Sequence, residues 1–247
     1  MALFEASHIH KRFGAQVVLE DISLAFEEGQ VSGIMGPNGA GKTTCFNVLT
    51  GRYPPDRGEI RLAGRRIDGQ QPQRIARQGV ARSFQLMNLF DEFSVLENVL
   101  LALPAVRARR RRLFAAAFGK AELLDRARAV LEQVGLGGRD WEPARSLSYG
   151  DRRALEIGIA LAAEPRLLFL DEPTSGLGGE ATKRLAQLID RLRRSYTIVV
   201  IEHDMRFLFG LAERIFVLHW GQVIAEGTPA ELRRNRWVRR SNLGELA

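Results

Sequence analysis

Cysteine is almost absent from this 247-residue sequence: Cys45 stands alone. No internal disulfide can form, and no cluster of Cys and His has metal-ligand spacing, so a secreted disulfide scaffold and a zinc module are both excluded. A reducing compartment fits. Long apolar runs are missing as well. The most apolar stretches, Leu167 to Leu170 and Ile198 to Ile201, have strand length, short of the roughly 18 to 20 residues that cross a bilayer. Met1 to Phe13 carries Glu5 and two histidines and lacks a basic segment followed by an apolar core, so no secretory signal is visible. Internal repeats and low-complexity tracts are lacking, apart from the arginine run at Arg107 to Arg112. What is present suits a packed globular protein rather than a disordered one, with 45% hydrophobic and 26% charged residues. A chain this long can bury a sizeable core without a disulfide or structural metal. Charge leans basic, 36 Lys and Arg against 29 Asp and Glu, a net of +7. That excess would suit nucleic acid or an anionic membrane surface and does not choose between them.

Strand and helix patterns alternate along the chain. Leu3 to Ile9 and Val17 to Phe26 alternate with period two, broken at Gly14 and Gly29. The apolar run Val31 to Met35 flows into a glycine-rich loop and a helical stretch, Thr44 to Thr50. Further strands are expected at Glu59 to Leu62 and around Val80 to Gln85. From about Glu97 to Gly135 Leu, Ala and Arg take helical spacing, which reads as a helical insertion. Alternation then resumes: helix Tyr149 to Ala163, buried strand Arg166 to Leu170, helix Gly179 to Arg194, strand Thr197 to Ile201 and helix Met205 to Ala212. Paired strands Arg214 to Leu218 and Gln222 to Glu226 flank a Trp220-Gly221 turn, and the tail from Pro229 reads as one short helix and a loose end. Such an order implies an α/β fold with a mostly parallel sheet covered on both faces and a helical subdomain inserted.

The chemistry concentrates in a few motifs. Gly36-Pro37-Asn38-Gly39-Ala40-Gly41-Lys42-Thr43 matches the phosphate-loop pattern and is followed by Thr44. Its glycines let the backbone wrap a polyphosphate, the helix N-terminus adds its dipole, Lys42 reaches the β- and γ-phosphates, and the Thr43 hydroxyl takes a place on Mg²⁺. An ordinary glycine-rich turn is the competing account, disfavoured by the strand before it and the helix after it. Leu167-Leu-Phe-Leu-Asp171-Glu172 delivers two acids to the carboxyl edge of a sheet, where Asp171 can hold Mg²⁺ and Glu172 can polarise an attacking water. Leu147-Ser148-Tyr149-Gly150-Asp151 opens a helix; Ser148 has the chemistry of an N-cap, and the alternative reading makes the same helix end, with its small hydroxyl and glycine, a second anion site.

The order of phosphate loop, LSGGQ-like segment, Asp-Glu strand end and later His203 resembles the ATP-binding subunits of ABC transporters, over nearly the whole chain. The resemblance implies a P-loop core with antiparallel β from residues 1–84 and 164–228, a helical subdomain at 85–163 and a tail at 229–247. It also implies further roles. Gln85 would contact Mg²⁺ and the attacking water, His203 would contact the γ-phosphate, and Phe13 would stack on adenine, although a Phe there is as readily a core residue. Two such subunits, identical or different, would pair head to tail, so that Ser148 and Gly150 act on the ATP of the other, and closure on ATP would drive transmembrane permease subunits.

Ala81-Arg82-Ser-Phe-Gln85, Leu155-Glu-Ile-Gly-Ile-Ala160 and Ile201-Glu-His-Asp-Met205 are similar, more narrowly, to the subunits of branched-chain amino acid uptake systems. That resemblance implies ATP and Mg²⁺ as cofactors, a periplasmic binding protein acting indirectly, a place on the cytoplasmic face of the inner membrane, and no nucleic acid partner. The sequence departs from the family at Tyr149, in place of the first central glycine, at Asp151, where Gln or Glu is usual, and at Gly178, where Asp or Asn is usual. A lipid or lipopolysaccharide exporter subunit would share the motifs. A soluble ABC ATPase acting on nucleic acid or ribosomes usually carries a long coiled coil or second nucleotide domain, neither of which is visible. Just after Gln85, Leu86 to Phe90 form an apolar stretch that either joins the helical core or lines a groove for a permease helix, with Met87, Leu89 and Phe90 as its wall.

Overall fold

The computed structural model describes residues 2–83, 89–107, 120–236 and 238. Two long antiparallel strands, β1 (Ala2–Phe13) and β2 (Gln16–Glu27), open the chain. β3 (Val31–Met35) follows and leads to α1 (Lys42–Leu49), then β4 (Arg57–Leu62), β5 (Arg65–Arg66), α2 (Pro72–Arg77) and β6 (Val80–Arg82). α3 (Val95–Ala102), α4 (Pro104–Arg107), α5 (Ala121–Gln133) and α6 (Tyr149–Leu161) then precede β7 (Leu167–Asp171). The remainder alternates α7 (Gly179–Leu192), β8 (Thr197–Glu202), α8 (Met205–Leu211), the hairpin β9 (Arg214–His219) and β10 (Gln222–Gly227), and α9 (Pro229–Arg234).

The strands form two sheets. A four-stranded antiparallel sheet runs β2-β1-β4-β5, and a six-stranded sheet runs β10-β9-β3-β8-β7-β6, parallel except for the β9–β10 hairpin. Its central strands are apolar at nearly every position because both faces are covered. The period of two sorts them. Leu168, Leu170, Ile198, Val200, Ile215 and Val217 enter one core with the helices, whereas Leu167, Phe169, Val199, Ile201, Phe216 and Leu218 enter the other, against the antiparallel sheet. Phe169 anchors that second core: its ring meets Phe4, Phe26 and Phe46 edge-on at 5.6, 6.0 and 6.1 Å between centroids. The sheet's carboxyl edge is thus held rigid from both sides.

The α/β architecture follows the motif order, and the boundaries differ where local chemistry decided them. α3 starts two residues before the expected Glu97, because Ser94 and Glu97 form a capping box: Ser94 Oγ accepts from Glu97 N at 3.2 Å and Glu97 Oε2 from Ser94 N at 2.6 Å. α2 has no counterpart among the expected elements; only Pro72 at its first turn marks it, and Gln71 supplies no side-chain cap. α6 and α7 stop two residues early, at Leu161 and Leu192. The last residues of the expected Val80 to Gln85 strand, the arginines at 109–112 and the tail from 239 lie outside the described residues.

Candidate functional site

β3 is buried throughout between its parallel neighbours β8 and β9, so its carboxyl end aims the loop out of the sheet edge. Gly36 must be glycine: a Cβ there would lie 2.3 Å from the Leu218 carbonyl oxygen. Gly221 N donates to Ala40 O at 3.1 Å and pins the middle of the loop. Gly41 caps α1 in a left-handed conformation with no side-chain hydrogen bond, which leaves the first N–H groups of α1 to the loop's hollow. Lys42 is buried and folded back on the loop, donating to the Gly36 and Pro37 carbonyls at 2.8 and 3.0 Å. Burial holds its ammonium below the usual lysine range, opposed by the charges of Glu172, Glu202 and Asp171. Asn38, Gly39 and Thr43 are exposed, and Thr44 is half-buried.

β7 and β8 end beside this loop. Asp171 is buried, and its N–H donates to Ser83 Oγ at 3.3 Å. Burial above all, and then Glu172, push its carboxyl up to about 6, against the pull of Arg82 and Lys42. Glu172 adopts a left-handed backbone, φ 43°, rare for a side chain that is not glycine, with its N–H donating to Ile201 O at 2.8 Å. His203 is exposed, its Nδ1 3.7 Å from both Glu172 Oε1 and Glu202 Oε2. Glu202 belongs to the site although the motifs do not single it out; a charge closing an apolar strand next to His203 is the signal that could have found it. It is wholly buried, and its carboxylate accepts from Thr174 N at 2.9 Å, Thr174 Oγ1 at 2.5 Å and His203 N at 3.1 Å.

Ser148 caps α6: its Oγ accepts from Asp151 N at 3.2 Å and donates to Asp151 Oδ2 at 2.7 Å. Arg139 Nη1 donates to the same Asp151 oxygen at 3.0 Å. Burial pulls the Asp151 carboxyl up, but the hydrogen bonds from Ser148 and Arg139 outweigh it and hold the group below the usual range. The charge of Asp151 is therefore compensated in place by Arg139. Tyr149 Oη reaches across to Ser175 O at 3.1 Å, and Gly150 is half-buried.

The structure thus brings Gly36 to Thr44, Asp171, Glu172 and His203 to one edge, while Ser148 and Gly150 sit at the start of α6. Phe13 is not a core residue: it is 45% exposed, with Tyr53 edge-on at 5.4 Å and Lys11 Nζ 5.6 Å from its ring centre. Gln85 and Met87 lie outside the described residues. Among the described residues, no helix is long and apolar enough to cross a membrane.

Residues 19–175 match the model of the ABC transporter family. The chain is 42% identical over 252 residues to the high-affinity branched-chain amino acid transport ATP-binding protein LivG of Salmonella typhimurium, covering 98% of each. It is 39% identical over 260 residues to the corresponding protein BraF of Pseudomonas aeruginosa, again covering 98% of each. Among solved structures, the ADP conformation of MJ1267, an ATP-binding cassette of an ABC transporter, superposes with a TM-score of 0.87 at 28% identity, covering 99% of this chain and 100% of that one. Phosphate loop, acid-ended strand, histidine and overall similarity agree, and the chain belongs to the ABC transporter family as an ATP-binding subunit.

Proposed function

We propose that this chain hydrolyses ATP to power uptake of branched-chain or related amino acids, as one of two ATP-binding subunits paired head to tail beneath two transmembrane permeases. The permeases would receive solute from a periplasmic binding protein, and the chain would sit at the cytoplasmic face of the inner membrane. The observation that carries the reading is the gathering of Lys42, Asp171, Glu172 and His203 on one sheet edge. The relatives named for branched-chain amino acid transport support the choice of solute.

In this reading residues 36–44 cradle the triphosphate of ATP and Lys42 swings from the Gly36 and Pro37 carbonyls to the β- and γ-phosphates. Asp171 and Thr43 offer hard oxygen ligands that fit Mg²⁺, with Gln85 as a third, and a buried carboxyl raised by its neighbours is the kind of group a cation would relieve. When bound, the cation neutralises charge on the phosphate oxygens. Glu172 takes a proton from the attacking water, His203 orients the γ-phosphate, and Phe13 stacks on adenine. Ser148 and Gly150 present the α6 N-terminus to the ATP held by the other subunit. ATP then favours the closed pair, because only that state makes both sets of contacts. Residues 85–163 form the subdomain that carries this motion.

A groove of about 410 Å³ supports the coupling role. Ile75, Phe90, Leu101, Ala102 and Ile159 line it, with buried Glu156 paired to Arg153 at 2.6 Å. Phe90 is 57% exposed and stacks on Phe93 at 5.4 Å, whereas Leu89 packs on the core and Val95 and Leu96 are fully buried. Of the apolar stretch, Leu89 joins the core and Phe90 the groove, and residues 86–88 lie outside the described residues. A short permease helix would fill the groove. Ile159→Glu, at a half-buried wall position, is expected to keep the ATPase activity of the isolated chain within about twofold while abolishing co-purification with permeases, because a carboxylate then faces the apolar helix. Co-purification at the wild-type level removes the groove from the interface.

The decisive test is reconstitution of the chain with its co-purified permeases and binding protein in liposomes. ATP-dependent accumulation of leucine that disappears with Lys42→Ala supports the proposal; movement of lipid without amino acid uptake assigns an exporter instead.

A further inference from the structure

The segment between Glu172 and α7 is held from two sides by side chains distant in sequence. On one side buried Glu202 grips Thr174 through both its N–H and its hydroxyl, and the same carboxylate takes the His203 N–H. On the other, the Tyr149 hydroxyl donates to Ser175 O at 3.1 Å. The phenol lies so close that a Cβ on Gly176, itself at φ +75°, would be 3.0 Å from its oxygen. Between these anchors the segment has its own turn bonds, Ser175 N to Glu172 O and Leu177 N to Thr174 O, each at 3.0 Å. Gly178, which ends it, offers α7 no side-chain cap. Glu202 and Tyr149 thus reach the segment from distant parts of the chain, while Pro173 is buried and Leu177 packs against the helical core.

We propose that Glu202 and Tyr149 are positioning residues that clamp Thr174 to Gly176 between the hydrolytic edge and the start of α6. The clamp joins two functional ends of one chain. Glu202 is bonded to the backbone of His203, beside the γ-phosphate position, and Tyr149 follows Ser148 directly at the head of α6. A displacement of His203 or Glu172 on hydrolysis shifts Thr174, carries the Ser175 carbonyl with it, and pulls Tyr149 and the helix end that bears Ser148. This role rests on the head-to-tail reading above, in which Ser148 serves the other subunit's ATP. The chain would then report the state of its own site to the second through side chains, with no acid or amide at Gly178.

The test is a double-mutant cycle on the purified full chain, with kcat and KM for ATP measured separately and melting temperature as a control. Tyr149→Phe deletes one hydrogen bond and is expected to lower kcat about 3- to 10-fold with KM for ATP unchanged. Glu202→Gln sets an amide against one of three donors and is expected to lower kcat about 10- to 100-fold. The double variant should lose no more than Glu202→Gln alone, because one segment is released by either change. Losses that multiply, or a Tyr149→Phe enzyme at wild-type kcat, overturn the clamp. Should Glu202→Gln fail to fold, Thr174→Val removes the hydroxyl bond from the segment's side and takes its place in the cycle, and Thr174→Ser should restore kcat. The pairing is read independently: Glu172→Gln with ATP, alone or together with the ATP-binding subunit that co-purifies with it, should elute as a dimer. A monomer there overturns the head-to-tail reading and the clamp's role in trans, whereas a dimer with multiplying losses overturns the clamp alone.

Discussion

Glu172→Gln is expected to bind ATP within a fewfold of wild type while turning it over slower by on the order of 10² to 10⁴, the usual worth of a general base. The substitution keeps the size of the side chain and its capacity to hydrogen-bond, and removes the negative charge and with it the ability to accept a proton. Position argues for this role. Glu172 lies one residue beyond the buried end of β7, and its φ of 43° puts it among the few non-glycine residues held left-handed. Such a conformation costs of order 1 to 3 kcal/mol and persists where the surroundings over-determine it, frequently at sites of function. Its carboxylate is 3.7 Å from the His203 ring nitrogen. With hydrolysis blocked, the ATP-bound closed pair should accumulate. Single-turnover hydrolysis and size-exclusion chromatography measure the two effects, and wild-type turnover would move the base elsewhere.

Asp171→Asn should act in opposite directions on stability and on activity. The wild-type carboxyl titrates at about 6 in the nucleotide-free protein, above its ordinary value of 3.8, because burial and the neighbouring Glu172 penalise its charge more than Arg82 and Lys42 favour it. A folded-state value above the unfolded one means that the neutral form supports folding; that contribution is complete below about pH 4 and is lost as pH rises through about 6. Asparagine is neutral at every pH. In chelator and without nucleotide, the variant should therefore melt higher than wild type at pH 7.5, by on the order of 1 to 3 kcal/mol in stability, and the gap should close toward pH 4. Hydrolysis should fall by about 10²-fold or more, because the carboxylate proposed to hold Mg²⁺ is gone. Thermal melts across pH with steady-state ATPase assays check both halves. A variant less stable than wild type at pH 7.5 would show that the ionised carboxylate is a net support of the fold.

Much of the site is legible in the order of the residues. The run Val31 to Met35 is strand β3 residue for residue, and Gly36 to Gly41 follow it as the loop, with Lys42 and Thr43 opening α1. Tyr149, Gly179, Met205, Arg214 and Gln222 begin their elements where the pattern places them. These features are local, because the period of two or 3.6, glycine geometry and cap chemistry act over a few residues. The capping box at Ser94 and Glu97 is equally local, and apolar spacing alone, which ignores it, starts α3 two residues too late. α2 is six residues long without a side-chain cap, too short for periodicity to reveal.

By itself, then, the sequence determined the order of the elements, the phosphate loop, the two acids closing β7 and the N-cap chemistry of Ser148. Only the tertiary structure decided what those groups face. Glu202 meets Thr174 across 28 residues, Tyr149 meets Ser175 across 26, and Arg139 neutralises Asp151 across 12. Phe13 lies open beside Tyr53, far along the chain, instead of entering the core. The reason is physical: local propensity depends on neighbours along the chain, whereas the partner of a carboxylate or a phenol depends on which strands and helices pack together, and that is set by burial of the two apolar cores on either side of the sheet.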